Sequence, residues 1–331
     1  MWSCCQILFC LVPLVVGANL TVDNETQLTQ MEYTILFRTG KKSQTKTDTI
    51  VSMIPDAREI FVDTMNNTIL CNRMFKNLQN VSILVVHARN IVQIKSGFLR
   101  GQDLNETLEI IRGRIKCIRK HTFASLQIAI LNLPDNKIAT IEDEAFVNMS
   151  RLERISLEAN LLAKVEPGSF LGLPQLVEFR AGANKIMHLQ KSVFRFLRRN
   201  NSIVDVHENL IKFVDEDIFS GSSAENVELI MERNAIGDLP RRMFERGSFS
   251  RINLGYNNIS HISPDFFQGR FHVEFLEIQC NPLDNETVQT IEIWATGNNI
   301  SLQYLPLFSY SAIKTETSSL MFAMLMLLNL I

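Results

Sequence analysis

Apolar and polar positions along this chain follow one recurring template. In segment 131–146, Leu131 and Leu133 stand five and three residues before Asn136, and Ile138, Ile141 and Phe146 stand two, five and ten after it. The same offsets pick out Ile155, Leu157, Leu162, Val165 and Phe170 around Asn160, and Phe179, Ala181, Ile186, Leu189 and Phe194 around Asn184. They continue around Asn209, Asn234 and Asn257, where Phe219, Phe244 and Phe267 hold the ten-after position. Upstream copies centred on Met65, Arg89 and Gly113 keep the apolar positions without the asparagine, and a half-copy at Asn281 ends the series. Ten centres spaced by 23 to 25 residues define a repeat array over residues 57–283.

The half of each unit that precedes its centre alternates apolar with polar, the period of a strand. That pattern predicts a short strand with two apolar side chains turned inward. The recurring asparagine predicts a buried amide bonded to the backbone of its own and neighbouring turns. The later Ile, Leu and Phe positions fill the opposite side, so each coil buries its apolar edge only against adjacent coils. Where Arg89 and Gly113 replace the asparagine, the ladder contact is lost and looser geometry is expected.

This template resembles that of the leucine-rich repeat proteins, in the typical form of extracellular members. The resemblance implies an α/β solenoid: a curved right-handed coil with a parallel sheet on its concave face and short loops or helical turns on its convex face. It also implies protein–protein recognition without catalysis, as in adhesion, receptor-like or innate immune members. The cysteine clusters of many extracellular members are missing. Residues 19–56 are read as an N-terminal cap, with strand-like stretches Tyr33–Phe37 and Thr49–Met53 around a polar loop. Residues 284–304 are read as a C-terminal cap opened by Cys280-Asn281-Pro282-Leu283, with Asn285 near where a cysteine would be expected.

Composition adds compartment. Residues 1–18 carry an apolar run, Ile7–Val16, and the small residues of Val16-Gly17-Ala18, which reads as a secretory leader cleaved before Asn19. Ten N-glycosylation sequons agree with secretion: Asn19, Asn24, Asn66, Asn80, Asn105, Asn148, Asn200, Asn258, Asn285 and Asn299. After the leader only Cys71, Cys117 and Cys280 remain. An odd number leaves at least one thiol free or intermolecular, which keeps open a homodimer linked through Cys280 or Cys71. In residues 305–331 a small-residue and polar spacer precedes the apolar run Leu320–Ile331. That order reads as a GPI-attachment signal with its ω site at Ser309 or Ser311; an uncleaved tail or an amphipathic anchor is the alternative.

Recognition chemistry belongs to the outward positions of the strands. The residues four and two before each centre form two rows, with neighbours about 4.8 Å apart. Phe61, Val85, Ile111, Ile130 and Pro134 give an apolar patch in the N-terminal third, open to a partner or covered by cap or glycan. Glu158, Glu178, Arg180, Asp205, His207, Glu208, Glu232 and Arg233 give a charged central stretch, in which Arg180 and Asp205 are expected to pair. The candidate ligand-binding residues are therefore Phe61, Val85, Ile111, Glu158, Arg180, Asp205, His207 and Glu232. A basic run, Arg112, Arg114, Lys116, Arg119 and Lys120, lies on the turn of one coil and reads as a solvated loop or a place for an acidic glycan.

The formal net charge of −2 gives no global pull towards nucleic acid or an anionic membrane. His207-Glu208 opens an H-E-x-x-H pattern, but Ile211 stands where the second histidine is needed, and no G-x-S-x-G elbow occurs. No enzyme activity, metal or cofactor is expected. The partner expected is an extracellular protein ligand or receptor, met at the cell surface or, alternatively, by a freely secreted immune or carrier protein.

Overall fold

The computed structural model describes residues 17–20, 28–37, 42–43, 57–63, 68–75 and 78–304. Thr49–Met53, Asn24, Asn66, Ser309 and Ser311 lie outside them, as do the apolar runs Ile7–Val16 and Leu320–Ile331. Among the described residues no helix is long and apolar enough to cross a membrane.

One 14-stranded sheet runs through the described chain, and its strands lie in sequence order, each parallel neighbour reached by a crossover around the coil. From Ala57–Asp63 to Ser301–Gln303 every neighbouring pair is parallel, one strand per coil. The N-terminal edge differs. There Leu28–Phe37 pairs antiparallel with Ala57–Asp63, Gly17–Leu20 and Lys42–Ser43. The opposite side of the coils is built of turns, two-residue parallel bridges and 3-10 turns such as Pro167–Phe170 and Pro264–Gln268. Coils this short leave no room for a full helix on that side. The α-helix Asn285–Gly297 follows the last coil, with Asp284 as its N-cap accepting from Thr287 N, and its Trp294 packs on Phe267 and Phe271.

The interior follows the template. Residues five and three before each centre, such as Leu131 and Leu133 or Phe179 and Ala181, are fully buried. Phenylalanines form a continuous spine, stacked where Phe146 meets Phe123 and Phe170, then edge-on through Phe179, with Phe196 also in contact. One position slips: Phe266 is buried where Phe267 was expected, because the 3-10 turn Pro264–Gln268 rotates the pair and leaves Phe267 against Trp294.

The asparagine ladder has the expected form and a definite polarity. Asn184 Nδ2 donates to Ala181 O (3.1 Å) and Gly182 O (3.0 Å) of its own coil and to Leu157 O (2.9 Å) of the coil before, while its Oδ1 accepts from Leu162 N (2.9 Å) of that preceding coil. Asn160, Asn209, Asn234, Asn257 and Asn281 repeat the pattern. The residue before each of these centres has positive φ, from Ala159 (53°) and Ala183 (52°) to Cys280 (58°).

The coils without the asparagine are not looser, which corrects the expectation. Their strands are longer, 7 to 8 residues in Ala57–Asp63, Val81–His87 and Leu104–Ile111, against 3 in Ile130–Asn132 and Arg154–Ser156 and 6 in Ser248–Asn253 and His272–Glu277. Extended pairing supplies backbone partners that the amide supplies further along. The transition leaves one rung incomplete. Asn136 Nδ2 donates to Ile110 O, Leu133 O and Pro134 O, but its buried Oδ1 is unpartnered among the described residues. A Cβ at Gly113 would overlap that oxygen, so the glycine is what lets Asn136 start the ladder.

Candidate functional site

Because strands alternate, residues two, four and six before each centre leave the sheet on the concave side. The third of these rows was used only in part by the sequence reading, through Ile130 and Glu178. Neighbours touch along a row, where Asn132 Nδ2 donates to Glu109 Oε1 (2.8 Å), and diagonally between rows, where Asn253 Nδ2 donates to Glu232 Oε2 (2.9 Å).

The apolar N-terminal patch is less open than expected. Val85 is only 7% exposed, closed in between its neighbours in the long parallel strands, while Phe61, Ile111, Ile130 and Pro134 are half-buried. Apolar exposure lies on the turns that follow the asparagines instead, at Leu161, Met187, Leu210 and Phe213.

The charged central stretch is an organised network. Arg180 pairs through Nε with Glu178 and through Nη1 with Asp205 Oδ2 (3.3 Å), as expected, and Arg154 approaches the other oxygen of Glu178 (3.5 Å). Asp205, 5% exposed at its side chain, accepts through Oδ1 from the backbone N of His207 (3.1 Å) and faces His207 Nδ1 (2.7 Å). Glu158 is half-exposed, and its carboxylate has no hydrogen-bond or ion-pair partner among the described residues. Glu158, Asp205 and His207 present ligand atoms that all lie within 4.8 Å of one another.

This convergence depends on Gly182. Glu158 and His207 belong to coils on either side of the Gly182 coil, about two strand spacings apart, or about 10 Å. Glycine lets the His207 ring lie over its backbone towards Glu158, and a Cβ at 182 would come within 2.2 Å of His207 Cε1. A second gap, at Gly255, is filled by neutral amides: Gln279 Nε2 lies over it and Asn253 Oδ1 accepts from Gly255 N. Gly182 and Gly255 each stand two residues before their centre and Arg251 six before Asn257, positions whose role the sequence pattern does not mark; Arg251 grips Glu277 through two bonds of 2.8 Å and Glu228 through one of 3.1 Å.

Electrostatics follow from these contacts. Burial, reinforced by the charge of Asp205, pushes the Glu158 carboxyl above the ordinary glutamate range. The hydrogen bond to Asp205 raises the His207 imidazole against the opposing effect of its burial. Burial works against the Arg180 charge, but the bond to Glu178 and the surrounding carboxylates hold the guanidinium more firmly charged than usual. The Glu232 carboxylate accepts from Asn253 Nδ2.

The remaining expected sites sit elsewhere. In the basic run, Lys120 and His121 both reach Glu144 (3.0 Å), while Arg112 and Arg114 line an open groove of about 470 Å³ with Arg89, Lys137, Asp135 and Asn136. Asn80, Asn148, Asn200, Asn258, Asn285 and Asn299 are exposed, and Asn105 is half-buried with its amide on Asn80. None occupies a concave row. Asn19 lies in the strand Gly17–Leu20. Cys71, Cys117 and Cys280 are unpaired and half-buried.

A parallel solenoid with an internal amide ladder and a patterned concave sheet defines a repeat scaffold that offers one broad surface. The chain belongs to the leucine-rich repeat family: the leucine rich repeat model matches residues 127–186, and the BspA type leucine rich repeat region matches residues 183–302. It is 29% identical over 162 residues to keratocan of Coturnix japonica, covering 48% of this chain and 44% of that protein. It is 28% identical over 134 residues to epiphycan of Gallus gallus, 40% of each chain. With Toll-like receptor 6 of Homo sapiens it shares 33% over 97 residues, 28% of this chain and 11% of the receptor. The chain thus spans less than half the length of these curated relatives. Among solved structures it is similar to that of the TLR13–ssRNA13 complex, with a TM-score of 0.47, 18% identity, and coverage of 69% of this chain and 36% of that one.

Proposed function

We propose that this chain is a non-enzymatic extracellular recognition protein that binds a protein partner across the centre of its concave sheet, around Arg180, Asp205, His207 and Glu158. The observation that carries the reading is the pre-assembled network on Arg180. Charged side chains are held in place by Glu178, Asp205 and Arg154 yet stay partly open to solvent. Rigid positioning of this kind lowers the ordering cost of binding and confers partner specificity through charge complementarity. The sequons at Asn80, Asn148, Asn200, Asn258, Asn285 and Asn299 support the same face, since glycans on these exposed positions would lie outside the concave rows.

Secretion is supported by the leader-like residues 1–18 and the sequons, and cell-surface attachment by the spacer-and-tail order of residues 305–331. A freely secreted protein is the second reading. Release from intact cells by a phosphatidylinositol-specific phospholipase supports tethering, and accumulation in medium without the enzyme supports the second.

The test is a capture screen of cell-surface and secreted proteins with the glycosylated chain, repeated with Arg180→Glu and Phe61→Asp. Arg180→Glu sets like charges against Glu178 and Asp205 and is expected to weaken capture by about 10-fold or more, a cost of about 1.4 kcal/mol or above. Partners held equally well by wild type and both variants would remove the concave face from consideration.

A further inference from the structure

We propose that the gap over Gly182 is a binding site for a divalent transition-metal ion of the zinc class, held by Glu158, Asp205 and His207 and open towards the concave side. The proposal rests on the recognition reading above and gives that surface a metal-dependent centre.

Four observations carry it. First, the three donors converge from non-adjacent coils, within 4.8 Å of one another, over a residue that has no side chain. Tetrahedral zinc, with bonds of about 2.0–2.2 Å to imidazole nitrogen and carboxylate oxygen, sets its ligands about 3.3 Å apart, so side-chain rotation brings Glu158 in while His207 Nδ1 and Asp205 Oδ1, 2.7 Å apart across their hydrogen bond, separate as the shared proton leaves. Second, Glu158 has no partner in the protein, although it is half-buried beside Asp205. A carboxylate without a partner beside a second carboxylate attracts a cation by charge. Third, Asp205 is already oriented as a ligand: Arg180 holds Oδ2 at 3.3 Å and the His207 backbone N holds Oδ1 at 3.1 Å. Outer contacts of this kind fix ligand geometry at metal sites. Fourth, the carboxylates of Glu158, Glu178 and Asp205 face the guanidiniums of Arg180 and Arg154, and these pair with Glu178 and Asp205 alone, which leaves the Glu158 charge for a cation to neutralise.

The Gly255 gap is an internal contrast. It has the same architecture, but Asn253 and Gln279 close it with neutral amides that hold a metal poorly. One imidazole and two carboxylates suit zinc-class ions better than calcium or magnesium, which prefer all-oxygen shells of higher number. Three protein ligands leave a fourth position for water or for a carboxylate or imidazole from the partner.

The experiment uses the glycosylated full chain, stripped with chelator and titrated with ZnCl2 by calorimetry, with visible absorption of the Co2+-substituted protein as a second readout. The expected result is one saturable equivalent and tetrahedral Co2+ bands. Glu158→Gln and His207→Asn are each expected to weaken Zn2+ binding by about 10-fold or more and to abolish the bands. No saturable binding, or binding unchanged by Glu158→Gln, overturns the proposal. Glu158 is half-exposed and unpartnered, so its variant folds normally and decides the matter even if His207→Asn does not. Loss of capture in Arg180→Glu with no Zn2+ binding sinks the metal site alone. Zn2+ binding with capture unchanged in Arg180→Glu sinks the recognition reading alone.

Discussion

Phe170→Ala is expected to lower the stability of the solenoid by about 3–5 kcal/mol, the range for emptying a buried aromatic site. Phe170 is 2% exposed, with its ring stacked on Phe146 (5.7 Å) and in contact with Phe179 (5.0 Å) and Phe196 (5.1 Å). Three rings from neighbouring coils would lose a wall at once, and stacked coils cannot collapse into the space without shifting the sheet. Phe213→Ala is the control: that ring is 58% exposed and its removal is expected to cost about 0.5 kcal/mol or less. Urea unfolding measures both. In a repeat array the damage is local, so hydrogen exchange should rise first in the coils flanking Phe170. Equal midpoints for the two variants would contradict a continuous aromatic spine.

Asn184→Ala is expected to cost about 2–4 kcal/mol, through backbone groups left without partners. The carbonyls are partly protected. Leu157 O also accepts from Asn160, Ala181 O from Asn209, and Gly182 O from Ala159 N. The amide of Leu162 has no such reserve, because Asn184 Oδ1 is its acceptor. Asn136→Ala tests this accounting. Its three donor contacts match those of Asn184, but its Oδ1 is unpartnered, so its loss is expected to be about 1 kcal/mol smaller. A shift in denaturation midpoint as large for Asn136→Ala as for Asn184→Ala would refute it.

The array was legible because its determinants are local and periodic. Each asparagine, each inward pair and nearly every phenylalanine answers to an offset in its own coil, and register copies that answer from turn to turn. The exceptions are residues whose place depends on turn geometry or on distant neighbours. Phe266 and Phe267 are equally apolar, and only the Pro264–Gln268 turn decides which faces inward. The longer strands at Arg89 and Gly113 reflect backbone satisfaction, which a list of side chains does not report. The rows placed Glu158, Arg180, Asp205 and His207 on one face, and the Arg180–Asp205 pair followed from adjacency. The meeting of Glu158 with His207 did not, because it needs the absence of a side chain between them. Exposure was also overestimated at Val85, where parallel neighbours on both sides close over an outward position.

The polarity of the amide ladder bears on how the molecule is made. Every asparagine leans only on its own turn and on the one synthesised before it, never on the one to come. A chain that emerges amino terminus first therefore meets a finished template each time a new turn appears, beginning from the long strands at the amino-terminal edge. Growth proceeds like bricks laid on a set course, and a fault in an early turn deprives every later one of its footing.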